Sequence, residues 1–149
     1  MKLNYRIAAA TLVLTIAWQT PLAAEPASKE ISGIYFMTDN VGTTLQVKAE
    51  NGQYRFELFG GSMASAGAAV AGDCLILSQG KLEGNRLAAV FSAVDTDTFS
   101  YSAAQAKTEY RKLEIVFEPD MAKVVRADTL GYCGLAAEFI GEYCRKPEK

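Results

Sequence analysis

Hydrophobic and polar residues alternate along much of the chain after residue 30, which is the pattern of β-strands with one buried face. Leu45, Val47 and Ala49 alternate with polar residues, and the alternation resumes at residues 54–58 after Asn51-Gly52. An Asn-Gly pair between two alternating runs is the strongest short-range signal of a β-hairpin. The sequence therefore predicts two paired strands around this turn.

Six further runs have the same strand character, and turn residues separate several of them. They lie at residues 31–37, 74–78, 87–91, 113–117, 122–127 and 138–145. A short helix is predicted at residues 102–110, with Ser102 as its N-cap. We therefore predict a mainly β fold, an antiparallel meander of about seven to eight strands that forms a small barrel or sandwich. The last strand is expected to pair with the first, because an uncovered edge invites aggregation.

The first 24 residues have a different pattern. Lys2 and Arg6 precede an uncharged, mostly apolar run at residues 7–18, and Pro21 and small residues follow it. This is the pattern of a secretory signal peptide, and the apolar run is shorter than the about 20 residues of a spanning helix. We expect a signal peptide at residues 1–24 and a single secreted domain at 25–149. The domain would reach the bacterial periplasm or beyond, without stable membrane insertion after cleavage.

The amino-acid composition excludes several kinds of catalytic and metal-binding site. The 149 residues include 15 Lys and Arg against 17 Asp and Glu, and there is no histidine. Without histidine the chain cannot form a Ser-His-Asp or Cys-His catalytic unit or a zinc site that uses imidazole. A net charge of -2 gives no electrostatic reason to expect nucleic acid. We predict no cofactor and no metal, and binding that varies little between about pH 6 and 8.

Three cysteines lie after the signal segment, and an oxidising compartment favours one disulfide bond. We predict a bond between Cys74, which opens a strand, and Cys133, which lies in a Gly-rich turn. Cys133 with Cys144 is the alternative pairing. The remaining thiol, Cys144 in the first case, is expected to be buried, or else to pair between molecules.

Asp95 and Asp97 lie in the segment 94–99 (VDTDTF), which resembles the aspartate box of haloacid-dehalogenase-type phosphotransferases. In that family the first carboxylate is the nucleophile and the second is an acid/base. That box stands near the start of a parallel α/β sheet, whereas this one lies past the middle of an alternating chain. We interpret the segment as a polar exit from a strand, and we predict no catalytic residue and no enzyme activity.

The segment 60–72 (GGSMASAGAAVAG) is uncharged, rich in small residues and placed between two predicted strands. One interpretation is a long connection in which glycine permits tight turns. The other is a recognition loop, because binding residues often lie on loops that a rigid scaffold presents. In that case Ser62 and Ser65 supply polar contacts and Met63 an adaptable apolar one.

The signal segment, the meander, the small-residue loop and a single disulfide together resemble the small periplasmic lysozyme inhibitors of Gram-negative bacteria. In those proteins a β-barrel inserts a serine-containing loop, with a nearby basic residue, into the lysozyme cleft. The resemblance implies that Ser62, Met63, Ser65 and Lys81 contact a protein partner. The aromatic residue that precedes the lysine in that family is absent here. The expected function is a non-enzymatic inhibitor or immunity-type protein against a cell-wall hydrolase.

A lipocalin-like carrier of a small apolar ligand is the alternative function. Five aromatic residues on the predicted strands would then line a cavity inside the barrel. The other interpretation is that they pack against one another as a filled core. These residues are Tyr35, Tyr54, Phe56, Phe91 and Phe117.

Overall fold

The computed structural model describes residues 31–39, 42–60, 74–133 and 137–147. The predicted signal segment, 1–24, lies outside these residues. The strands in the described part are β1 Gly33–Met37, β2 Thr44–Glu50, β3 Gln53–Gly60, β4 Cys74–Gly80, β5 Leu82–Glu83, β6 Arg86–Val90, β7 Val94–Asp95, β8 Ser100–Tyr101, β9 Lys112–Glu118, β10 Met121–Ala127 and β11 Gly141–Arg145. A single described helix, α1, spans Ala103–Glu109.

Nine of these strands form one antiparallel sheet in the order β4-β3-β2-β1-β11-β10-β9-β6-β5. The last strand pairs with the first, as predicted, with Phe36 opposite Cys144. Eight strands are five residues or longer, which agrees with the predicted number. The additional strands, β5, β7 and β8, have two residues each and are too short to show a period. The predicted mainly β, barrel-shaped fold is confirmed.

The sheet curls until its two edges nearly meet. β4 pairs with β3 along its whole length, and the chain then passes through Lys81 so that β5 pairs with β6. A bridge between Ser78 and Phe91 joins β4 to the far side of the sheet. The Ser78 hydroxyl also donates to the Val90 carbonyl oxygen at 2.9 Å. These contacts nearly close the sheet into a barrel and leave little exposed edge.

The β2–β3 hairpin forms at Asn51-Gly52, as the sequence predicts. Asn51 and Gly52 have φ values of 50° and 75°, which is the geometry of the hairpin turns that Asn-Gly favours. The register keeps Leu45, Val47, Phe56 and Leu58 on the inner face. Alternation in the sequence and burial in the barrel therefore agree along this hairpin.

Two details of β11 differ from the predictions. The strand begins at Gly141 rather than at Glu138, since the described residues 137–140 have no regular structure. The Cys144 thiol is exposed, so the prediction that the remaining thiol is buried was wrong. The cause is the strand period, because Tyr143 points into the core and its neighbour Cys144 must point outward.

Candidate functional site

The two ends of the barrel differ. At one end, called the open end, lie the turns at Asn51-Gly52, Gly84-Asn85 and Pro119-Asp120. At the other, called the closed end, β3 stops and β4 begins, and the loop 128–133 follows β10. Antiparallel pairing produces this division, since each turn returns the chain to the end from which the previous strand came.

Tyr132 closes one end of the barrel. Three aromatic rings meet its ring edge-on, with centroid distances of 5.0 Å to Phe91, 4.9 Å to Phe99 and 4.8 Å to Tyr101. The Arg111 guanidinium lies 5.6 Å from the same ring centroid. Edge-to-face rings and a nearby cation are favourable arrangements, so this cluster is a packed plug.

The predicted disulfide between Cys74 and Cys133 is present, with 5.5 Å between the Cα atoms. It attaches the loop that carries Tyr132 to the first residue of β4. The Tyr132 hydroxyl then donates to the Leu75 carbonyl oxygen at 2.9 Å. The plug therefore also satisfies part of the β4 edge that no neighbouring strand pairs.

A cup-shaped cavity of about 360 Å³ lies at the open end. Its apolar lining comes from Ile31, Tyr54, Leu82, Phe117 and Pro119. Tyr54 and Phe117 form the floor, because each ring also packs against Phe56 in the core, with centroid distances of 6.1 Å. The cup is thus continuous with the hydrophobic core and opens toward solvent.

The five predicted core aromatics were interpreted either as the lining of a ligand cavity or as a filled core, and the structure assigns some of them to each. All five are buried, which confirms their place in the core. Tyr54 and Phe117 also line the cup, whereas Tyr35, Phe56 and Phe91 do not. The interior is therefore mostly filled, and the cup occupies only one end of it.

Polar groups surround the mouth of the cup. Glu118, Asp120, Asn85 and Arg145 complete the lining together with the backbone of Gly84. The Arg145 guanidinium donates to the Ser32 carbonyl oxygen and lies 5.8 Å from the Tyr35 ring centroid. Burial raises the pKa of Tyr35, the Arg145 charge lowers it, and the Asp120 carboxylate raises it. Asp120 and Arg145 therefore both act on one phenol beside the cup.

The structure does not place Lys81 beside the ends of the predicted recognition loop. Ser62, Met63 and Ser65 lie outside the described residues, and the described residues that flank them are Gly60 and Cys74. These two residues pair with each other at the closed end. Lys81 is exposed and follows the far end of β4, about 23 Å from Cys74 at a strand rise of roughly 3.3 Å per residue.

Asp95 and Asp97 lie in a short β7–β8 hairpin. Asp95 is opposite Ser100, and both aspartates are exposed. The Thr96 hydroxyl donates to the Phe99 carbonyl oxygen at 2.9 Å and accepts from the Phe99 amide at 3.0 Å. The polar residues of this segment thus build a tight turn at a strand exit, as predicted.

Sequence reasoning missed most of the cup and the plug. Ile31 and Leu82 carry no pattern that separates them from other strand residues, and Asp120 resembles any turn aspartate. Tyr132 had one detectable signal, since it precedes the cysteine that was predicted to form the disulfide. A large aromatic beside a cross-linked residue is held in place and is therefore a candidate for packing.

Among the described residues, no group of three or more Asp, Glu or Cys side chains is arranged to hold a metal ion. No helix in the same part of the chain is long and apolar enough to cross a membrane. Comparison with protein-family models, with curated proteins and with solved structures finds no match to this chain. The candidate site therefore rests on its own geometry.

Proposed function

We propose that the protein is an exported, non-enzymatic binding protein that carries a small ligand with an apolar body in the cup. The observation that supports this proposal is the cavity of about 360 Å³ with an aromatic floor and a polar rim. Ligand sites are typically concave, mostly apolar and about 300–1,000 Å³ in volume, with a few polar groups that orient the ligand. The cup has each of these properties.

The shape of the barrel supports the same function. A barrel of about eight strands has an interior that side chains just fill or that holds one small ligand. Here the plug around Tyr132 fills one end, and the aromatic floor separates it from the cup. A ligand that enters the cup covers Tyr54, Phe117 and Leu82 and removes their remaining apolar surface from water, which favours binding.

Binding of a neutral fluorescent probe, N-phenyl-1-naphthylamine, tests the proposal. We expect the native protein to bind the probe, and Leu82→Trp to weaken binding about tenfold or more because an indole fills the cup. Leu130→Trp is the matched control, since Leu130 is 89% exposed near the closed end. Absence of probe binding at micromolar protein, or equal loss in both variants, would rule out the cup as the site.

Inhibition of a cell-wall hydrolase is a second candidate function. The observation that favours it is the anchoring of the segment 61–73. Gly60 and Cys74 are paired across the sheet, and Cys74 is cross-linked to Cys133. A scaffold that fixes both ends of a segment is suited to presenting it to a partner, because less ordering entropy is lost on binding. The partner would be lysozyme or a toxin hydrolase, as the resemblance implies.

An inhibition assay against lysozyme-type enzymes tests this second function. We expect Ser65→Trp to abolish inhibition if the segment enters the enzyme cleft. Lys81→Ala should leave inhibition unchanged, because Lys81 lies at the opposite end of β4 from Gly60 and Cys74. No inhibition by the native protein at micromolar concentration would eliminate this candidate without affecting the carrier proposal.

A further inference from the structure

Among the residues that the structure describes, the carboxylates at the mouth of the cup form no ion pair. Glu118 and Asp120 flank Pro119 in the β9–β10 turn, and both are exposed. The ion pairs of the described residues involve other acids and leave these two out. The backbone of Asp120 is fixed, since its carbonyl oxygen accepts from the Arg145 amide at 2.8 Å. Two acidic groups are therefore held beside the opening on an ordered turn.

Arg145, the cationic residue that lines the cup, already makes two contacts within the barrel. The Arg145 guanidinium donates to the Ser32 carbonyl oxygen and packs against the Tyr35 ring. Gly33 leaves room for this arrangement, because a Cβ atom there would stand 3.0 Å from the Arg145 Nε atom. Arg145 is thus held by its neighbours, whereas Glu118 and Asp120 remain available to a ligand.

We propose that the ligand of the cup is an amphiphile that carries a protonated amine beside Glu118 and Asp120 and places its apolar chain on Tyr54 and Phe117. This inference rests on the carrier function proposed above and assigns the chemical class of the ligand. Charge complementarity selects the amine, since two carboxylates and one guanidinium line the cup and give its mouth a net negative charge. The apolar lining of the cup selects the chain.

The expected difference in affinity between an amine and an alcohol follows from the solvent exposure of the two carboxylates. An exposed ion pair strengthens an interaction by about fivefold at most, because water and salt screen it. Two such contacts predict that an amine binds roughly threefold to tenfold more tightly than an alcohol of the same chain length. Most of the affinity then comes from the chain, which amine and alcohol share.

Competition with the naphthylamine probe at pH 7 separates these contributions. Decylamine, decanol and decanoate are compared as competitors, and the expected order of affinity is amine, alcohol, carboxylate. In the double variant Glu118→Gln/Asp120→Asn, the amine should lose its advantage while the affinity for decanol stays the same. Asp97→Asn is the matched control, since Asp97 is an exposed aspartate in the β7–β8 hairpin.

The outcomes distinguish this inference from the proposed function. Equal binding of decanol and decylamine, or tighter binding of decanoate, would overturn the amine assignment and leave the carrier function standing. Displacement of the probe by none of the three compounds would overturn the assignment, and loss of probe binding itself would remove the carrier function with it. An amine advantage that persists in the double variant would also overturn the assignment to Glu118 and Asp120.

Discussion

Tyr132 combines several interactions in a single side chain. Its ring contacts Phe91, Phe99 and Tyr101, and its hydroxyl binds the Leu75 carbonyl oxygen. The chain around it forms a turn, which by itself has little reason to be buried. The aromatic cluster and the adjacent disulfide make burial favourable at this position.

We predict that Tyr132→Ala lowers the free energy of unfolding by about 3–5 kcal/mol, the usual cost of removing a buried aromatic ring. Tyr132→Phe should cost about 1–2 kcal/mol, because it keeps the ring and loses only the hydrogen bond to Leu75. Urea unfolding followed by circular dichroism measures both. A cost below 1 kcal/mol for the alanine variant would show that the ring cluster does not hold this end together.

Residues of the candidate site were predictable only where a local pattern marks them. Tyr54 and Phe117 lie at inward positions of alternating runs, so their burial follows from strand period. Arg145 and Ile31 acquire their role from pairing between β1 and β11, which brings Arg145 opposite Tyr35. No local sequence pattern predicts that Arg145 lies beside Tyr35, because this contact depends on how the barrel closes.

At the scale of one element, α1 shows how a short helix is specified. The Gln105 amide donates to the Ser102 hydroxyl oxygen at 3.2 Å, and the Ser102 amide donates to the Gln105 side-chain oxygen at 2.9 Å. This reciprocal pair is a capping box. Tyr110 ends the helix at a φ of 48°. Because α1 has no fully buried residue, its order depends largely on these terminal interactions.

We predict that Ser102→Ala destabilises α1 by about 1 kcal/mol, the typical cost of losing an N-cap. Amide hydrogen exchange in residues 106–109 should then accelerate by about fivefold, since 1 kcal/mol changes an opening equilibrium by roughly that factor. Thr108→Ala is a suitable control on the same helix, because its hydroxyl binds only carbonyl oxygens within the helix. Unchanged exchange in Ser102→Ala would mean that packing, not the cap, orders α1.

At the scale of the whole molecule, the barrel has one plugged end and one end with a cavity. The disulfide stands at the plugged end and joins positions 59 residues apart in the sequence. A cross-link over such a loop restricts the unfolded chain and leaves the folded cup unchanged. The cross-link and the cup thus lie at opposite ends of the barrel.

We predict that Cys74→Ala/Cys133→Ala lowers the free energy of unfolding by about 4 kcal/mol, on the loop-entropy model. Cys144→Ala should change it by less than about 0.5 kcal/mol, because Cys144 is exposed and unpaired. Urea unfolding of both variants makes the comparison. Equal stability of the two variants would show that the disulfide contributes nothing to the fold.

The buried tyrosines predict an alkaline limit to stability. Burial raises the pKa of Tyr132 and of Tyr143 well above their usual value. The unfolded chain releases these protons near pH 10, so their contribution is fully present below about pH 10 and is lost as the pH rises further. Tyrosine absorbance and circular dichroism should therefore change together above pH 10. Complete tyrosine ionisation with the fold intact would contradict this linkage.

The sequence by itself determined the eight longer strands, the Asn51-Gly52 hairpin and the cap of α1, because these follow from local alternation and turn chemistry. It predicted one disulfide bond but left two possible partners for Cys133, and the structure shows that the partner is Cys74. Only the tertiary structure decided which end is plugged and where the cup lies. Ile31, Leu82, Asp120 and Arg145 are distant in the chain and meet through closure of the barrel. Such a meeting depends on nonlocal strand pairing and packing, which no local pattern encodes.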